Sequence, residues 1–159
     1  MSRLRTVSGN TFEELLRAAP GALDADAELY RQIKCGLTQR LYSLIGVTVA
    51  GLLGLQRLVA FVRGPLDDST VSQVAGNWST ASLTELERAV LSYTEKGTLD
   101  EGSVRQRDVD ALRKAGLDDA HILTIATAIA YHNYALRVAA AFNAIPRREV
   151  PDSRKEEEI

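Results

Sequence analysis

The feature that most constrains the fold of this chain is a nearly uncharged segment of 22 residues. Between Leu41 and Val62 only Arg57 carries a charge. A transmembrane helix needs about 20 predominantly apolar residues, but polar side chains and glycines at positions 46, 51 and 54 interrupt this segment. Because its strictly apolar stretches are short, we predict a buried core helix and no membrane span.

Helix boundary signals recur along the rest of the chain, and strand-like alternation is absent. Residues that cap helix N-termini precede the apolar-periodic segments, and glycine or proline follows them. The expected N-terminal caps or starts are Thr11, Asp24, Thr38, Asp67, Ser82, Ser103 and Asp118. We expect capping boxes at 11–14, 82–85 and 103–106, and a break of the long apolar helix at Gly51 and Gly54. The pattern predicts an all-α fold of about seven helices.

Length and composition predict one globular domain. The chain has 159 residues, of which 45% are hydrophobic and 25% are charged, as is usual for a folded domain. We assign residues 1–146 to one helical domain and residues 147–159 to a charged tail that we expect to be disordered. The 19 basic and 21 acidic residues are spread along the chain, which argues against a nucleic-acid partner.

Cysteine usage predicts a reducing, cytoplasmic location. The single cysteine, Cys35, excludes an internal disulfide and any Cys-x-x-Cys metal or redox site. The basic N-terminus is not followed by the apolar stretch of a secretory signal. We expect neither a metal nor a cofactor.

Three segments in the second half share a recognisable pattern. They are 83–96, 108–123 with Ala-Gly-Leu-Asp-Asp, and 130–139 with Asn-Tyr-Ala-Leu-Arg. Together with segments 12–20 and 37–40, they resemble the peroxidase-related branch of the alkylhydroperoxidase D/carboxymuconolactone decarboxylase family, over about residues 12 to 145. The resemblance implies an alkylhydroperoxidase D-like helical domain. It also implies a homo-oligomer built on the long helices, in which the glycines at 46, 51 and 54 would permit close helix contact.

The redox residues of that family are missing. Its redox members have a Glu about twelve residues ahead of Cys-x-x-Cys-x-x-x-His, in which one thiolate attacks, the second resolves the intermediate, and Glu and His move protons. Aligned on the apolar helix, the motif falls on Leu55, Leu58 and Val62, and the Glu falls on Ser43. Since segment 37–120 contains no cysteine or histidine, we expect no peroxidase activity of the family type.

Three residues are candidates for non-redox catalysis: His132, Arg57 and Tyr42. The neighbours of His132 at helical spacing are apolar, so it is either a satisfied core histidine or an acid–base group that points into a pocket. Arg57 stands in the former redox segment and could hold a carboxylate or enolate, although a surface arginine at a helix break is the simpler reading. In the catalytic reading, His132 or Tyr42 moves the proton.

Five further residues are candidates for lining a substrate pocket. They are Arg40, Ser43, Gln56, Tyr131 and Trp78, of which Trp78 is also a candidate lid or interface anchor. Cys35 at a helix C-terminus and His121 in a first helical turn are weaker candidates. For Asn133 and Arg137, the resemblance favours a helix-fixing or intersubunit role.

Two function classes remain open. The first is a cofactor-free lyase, decarboxylase, isomerase or cyclase that acts on a small organic acid or ketone. The second is a non-catalytic paralogue that binds a small molecule or assembles with a partner. A buried, polar-lined pocket would favour the first class, and a pocket filled by Leu55, Leu58 and Phe61 would favour the second.

Overall fold

The computed structural model describes residues 11–144, which form eight α-helices and two short 3₁₀ turns. The helices are α1 (Phe12–Leu16), α2 (Ala22–Gly36), α3 (Gln39–Leu52), α4 (Gln56–Val62), α5 (Asp68–Asn77), α6 (Glu85–Leu99), α7 (Gln106–Lys114) and α8 (Asp119–Ala141). No strand occurs in these residues, so the all-α prediction is confirmed. The tail predicted for residues 147–159 lies outside the described range.

Most of the predicted helix starts are confirmed by their capping hydrogen bonds. The hydroxyl of Thr11 accepts from the backbone N–H of Glu14 at 3.2 Å, and the Glu14 carboxylate accepts from the Thr11 N–H at 2.8 Å. The side chains of Thr38, Asp67 and Asp118 accept from backbone N–H groups in the first turns of α3, α5 and α8. Side-chain caps of this kind satisfy donors that have no partner within the helix.

The starts predicted at Ser82 and Ser103 are wrong. Helix α6 begins two residues later, with a capping box between Thr84 and Glu87, and the Glu87 carboxylate also binds Arg40 of α3. The hydroxyl of Ser103 donates to the Asp100 carbonyl, while the Asp108 carboxylate accepts from the backbone N–H of Arg105 at 2.7 Å. In both places, the capping carboxylate also binds a cation on another helix: Arg40 for Glu87 and Lys96 for Asp108.

Helix α3 is the centre of the described fold. Every residue from Leu41 to Ala50 is buried, and α3 packs against α4, α5, α6 and α8. The apolar segment is thus a buried core helix that ends at Leu52, before Gly54 with a φ of +70°. The predicted break between α3 and α4 is confirmed. In the described part of the chain, no helix is long and apolar enough to cross a membrane.

Two glycines allow close helix contacts within the chain. A Cβ added to Gly46 would lie 2.6 Å from Cε1 of His132 on α8, and a Cβ added to Gly51 would lie 2.5 Å from the carbonyl oxygen of Ala75 on α5. A Cβ on Gly54 would meet nothing within 4 Å. Gly46 and Gly51, which the family resemblance suggested for contacts between subunits, therefore serve the packing of α3 inside one subunit.

Candidate functional site

Apolar side chains fill the segment on which the resemblance places the redox motif. Leu58 is fully buried and Val62 is buried. Leu55, just ahead of α4, and Phe61 are half-buried and pack against the same core. The side chains that would replace a thiol–histidine relay thus form part of the hydrophobic core, as the non-catalytic alternative requires.

Ser43 occupies the position expected for the family's Glu. It is fully buried in α3, and its hydroxyl oxygen accepts a hydrogen bond from Nε2 of Gln39 at 3.3 Å. The turn at Gly64 packs directly on this hydroxyl. A hydroxyl held in this way has none of the proton-relay capacity of a carboxylate near neutral pH.

The structure places Arg57 and Gln56 on the exposed first turn of α4. Gln56 lines a cleft of about 390 Å³ between α4 and α5, next to an ion pair of 2.6 Å between Arg63 and Asp68. Trp78 lies in the 3₁₀ turn after α5, where it is half-buried against the core. Arg57 therefore lies on the outside of the helix whose inner face fills the redox position.

Tyr42 and His132 contact each other in the interior. Their ring centroids lie 4.4 Å apart, and each residue is 2% exposed. Nε2 of His132 lies 3.2 Å from the backbone carbonyl oxygen of Tyr42, and the imidazole also packs on Gly46. The ring of Tyr42 is a partner of the Lys34 ammonium, at 4.7 Å from its centroid. Two of the three predicted catalytic residues are thus brought together, and Arg57 is not.

Tyr131 belongs to a neighbouring group of polar aromatic residues between α2 and α8. Its hydroxyl donates to the buried carboxylate of Asp26 at 3.4 Å, and its ring lies 6.0 Å from that of Tyr30. Burial, together with the nearby Asp26 carboxylate, raises the pKa of Tyr134. Asp26 had no distinguishing signal in the sequence, because its partners follow more than 100 residues later.

Arg40 forms an ion pair with Glu87 across α3 and α6. Nε of Arg40 lies 2.6 Å from Oε1 of Glu87, and Nη2 lies 3.4 Å from Oε2. Burial raises the pKa of Glu87, but the hydrogen bonds from Arg40 and from the Thr84 N–H outweigh it and hold that pKa below its ordinary value. Glu87 is 7% exposed, so its negative charge is compensated inside the protein.

A larger cleft of about 690 Å³ lies between α6 and α8. Asn133 lines this cleft and connects α8 to α6. Its Nδ2 donates to the Thr98 hydroxyl at 3.2 Å and to the Ile129 carbonyl at 3.0 Å. Its Oδ1 accepts from Nε of Arg137 at 3.4 Å. These contacts agree with a helix-fixing role for Asn133. Within residues 11–144, no group of three or more His, Cys, Asp or Glu side chains could hold a metal ion.

Comparisons with solved structures identify the fold. A peroxidase-related protein from Silicibacter sp. TM1040 is 24% identical, with a TM-score of 0.67 over 84% of this chain and 76% of its own. An alkylhydroperoxidase AhpD core protein, also peroxidase-related, from Ralstonia eutropha JMP134 is 22% identical, with a TM-score of 0.70 over 80% of this chain and 71% of its own. The debrominase Bmp8, in complex with 2,3,4-tribromopyrrole, is 18% identical, with a TM-score of 0.70 over 84% of this chain and 74% of its own.

Comparisons at the level of sequence find no match. No protein-family model matches the chain, and no curated protein matches it. The structural neighbours share fewer than a quarter of their residues with it but agree in the arrangement of their helices. The chain therefore has the alkylhydroperoxidase D-like fold, as the sequence resemblance implied.

Proposed function

We propose that this chain uses the alkylhydroperoxidase D-like fold to bind a small organic molecule, without thiol-dependent reduction of peroxides. The observation that carries the proposal is the packing of Leu55, Leu58 and Phe61 into the core where the redox motif would stand. A thiol mechanism needs an attacking and a resolving cysteine, whereas the chain has only Cys35, which is exposed on α2.

The clefts of the structure support the binding part of the proposal. Binding sites for small molecules combine apolar walls with a few polar groups, and three open clefts of about 370 to 690 Å³ have apolar and polar lining residues. The debrominase of the same fold was solved with a small ring compound, 2,3,4-tribromopyrrole. We extend to this chain only the class of ligand, a compact organic molecule.

A coupled peroxide-reduction assay with a dithiol donor tests the absence of redox function. We expect hydroperoxide consumption at the rate of the protein-free control, both in the wild type and in Cys35→Ser. Turnover by the wild type that disappears in Cys35→Ser would overturn the proposal.

A thermal-shift screen with small organic acids, ketones and phenols tests binding, because a ligand of the folded state raises the unfolding midpoint saturably.

Acid–base catalysis on a small organic acid or ketone is the second candidate function. The contact between Tyr42 and His132 favours it, because it places a phenol and an imidazole, two side chains of the acid–base type, side by side in the interior. It would make the chain a cofactor-free lyase, decarboxylase, isomerase or cyclase.

Turnover of a panel of β-keto acids and lactones by wild type, His132→Asn and Tyr42→Phe decides between the two candidates. Removal of a general acid or base lowers the rate by about 100-fold or more. If the wild type turns over one panel member and both variants lose that turnover while they stay folded, the acid–base candidate replaces the binding-only function.

A further inference from the structure

A third cleft, of about 370 Å³, lies where the N-terminal parts of α3, α6 and α8 meet. Leu37, Leu41, Leu86 and Leu117 form its apolar walls, and Arg40, Glu87 and His121 supply its charged or titratable groups. We call it the Arg40–His121 cleft. Its volume lies at the lower end of the range for ligand pockets, about 300–1,000 Å³, which suits a molecule with one ring.

The contact between Asp118 and His121 determines which atom the imidazole offers to the cleft. Nδ1 of His121 lies 2.7 Å from Oδ1 of Asp118. Hydrogen bonds from the backbone N–H and then the side chain of His121 lower the pKa of Asp118, so its carboxylate is ionised at neutral pH and can only accept. In the neutral form of the imidazole, Nδ1 therefore carries the proton and Nε2 is a hydrogen-bond acceptor. Nε2 makes no hydrogen bond to a described residue.

The charges around the cleft favour an uncharged ligand. The Arg40 guanidinium is already neutralised by Glu87, and the Asp118 carboxylate lies behind His121. An anionic ligand would thus enter a site without net positive charge. Nη1 of Arg40 forms no hydrogen bond within residues 11–144, so its two N–H groups remain available to a ligand oxygen.

We propose that the Arg40–His121 cleft binds an uncharged, weakly acidic ring compound of the phenol type. The ligand O–H donates to Nε2 of His121, its oxygen faces the free edge of Arg40, and its ring packs against Leu86 and Leu117. This inference rests on the proposed small-molecule function and deepens it by naming the site and the class of ligand.

Titration with three probes of similar size tests the inference, with backbone amide NMR shifts as the readout. The probes are phenol, anisole, which lacks the donor, and benzoate, which is charged. We expect phenol to shift amides around Leu86, Leu117 and His121 saturably. Loss of one hydrogen bond should weaken anisole by about tenfold, and benzoate should also bind more weakly than phenol. No saturable shift with phenol, or binding of anisole or benzoate as tight as that of phenol, would overturn the inference.

Three variants connect the binding to the named residues. In His121→Ala, which removes an exposed side chain, phenol should lose its advantage over anisole. Leu117→Trp should block the cleft and abolish the shifts. Ala130→Phe fills the separate cleft between α6 and α8 and should leave phenol binding unchanged. If Ala130→Phe abolishes binding while Leu117→Trp does not affect it, phenol binds in the cleft between α6 and α8. The inference about the Arg40–His121 cleft is then overturned, and the proposed small-molecule binding is retained. Peroxide turnover would instead contradict the proposed function and leave the site intact.

Discussion

At the scale of single residues, the close contact of Gly46 with His132 explains how a histidine is accommodated in the core. The imidazole occupies the space that a Cβ on Gly46 would need, and its Nε2 lies at hydrogen-bond distance from the Tyr42 carbonyl. A buried polar ring is tolerated when it has a partner of this kind. His132 therefore has a packing role, whether or not it also takes part in chemistry.

A double-mutant cycle between Gly46 and His132 tests this packing role. We expect Gly46→Ala to lower the free energy of unfolding by about 1–3 kcal/mol because the added methyl overpacks the core. His132→Ala should lower it by about 2–4 kcal/mol because it leaves a cavity. In the double variant, the methyl enters that cavity, so the combined loss should be smaller than the sum by at least about 0.5 kcal/mol. Urea unfolding measures all four proteins, and additive losses would contradict direct packing.

The ion pair between Arg40 and Glu87 predicts a pH dependence of stability. The folded-state pKa of Glu87 lies below its ordinary value of 4.5, so the unfolded chain binds this proton more readily. The contribution of Glu87 to stability is then fully present above about pH 4.5 and is lost as the pH falls through the folded-state pKa. The stability difference between wild type and Glu87→Gln should therefore shrink on acidification.

Urea unfolding at about pH 7 and about pH 3 measures that difference above and below the pKa of the unfolded chain. Glu85→Gln is the matched control, because Glu85 is an exposed residue in the first turn of the same helix. A difference for Glu87→Gln that stays constant between the two conditions would show that the ion pair does not stabilise the fold.

At the scale of helices, local capping chemistry predicts most boundaries, and tertiary contacts decide the others. Thr11, Thr38, Asp67 and Asp118 could be recognised as caps because their hydrogen bonds lie within one turn. Ser82 could not be distinguished from Thr84, since Ser82–Glu85 and Thr84–Glu87 have the same capping-box spacing; the structure uses the second, whose Glu87 also binds Arg40, 47 residues away. The candidate sites show the same limit. Helical periodicity placed His132 on an inward face, but the cleft beside His121 depends on how three helices meet.

Glycine substitutions in α3 and α5 test the helix contact between them. In Gly51→Ala, the new Cβ would lie 2.5 Å from the Ala75 carbonyl oxygen and 3.0 Å from the Ala75 Cα. Because backbone atoms cannot yield as a side chain does, we expect a loss of about 1–3 kcal/mol or more in the free energy of unfolding. Gly76→Ala is the control, since its Cβ would meet nothing within 4 Å, and it should gain about 0.5–1 kcal/mol. Urea unfolding of both variants measures this, and equal effects would contradict the contact.

At the scale of the whole molecule, α3 and α8 differ in how much of their surface the subunit covers. Helix α3 is enclosed by its neighbours, so its apolar length does not by itself call for a partner subunit. Helix α8 is similarly apolar, since Arg137 is the only Lys, Arg, Asp or Glu between Leu123 and Ala141. One face of this helix is nevertheless exposed, and we call it the outer face of α8. Leu123 is 68% exposed and Tyr134 is 38% exposed. A helix that is apolar on all sides is normally buried.

The outer face of α8 leads to the prediction that the chain forms a homo-oligomer through this helix. Light scattering at micromolar concentration should give a multiple of the 17.3 kDa subunit mass. Leu123→Glu places a charge on this outer face, where an unpaired carboxylate buried in an interface is costly, so it should weaken association by at least about tenfold. Ala111→Glu adds the same charge to an exposed position of α7 and should leave the mass unchanged. A wild-type mass of one subunit would exclude the oligomer. An oligomer that Leu123→Glu does not weaken would place the interface elsewhere and leave α8 facing solvent.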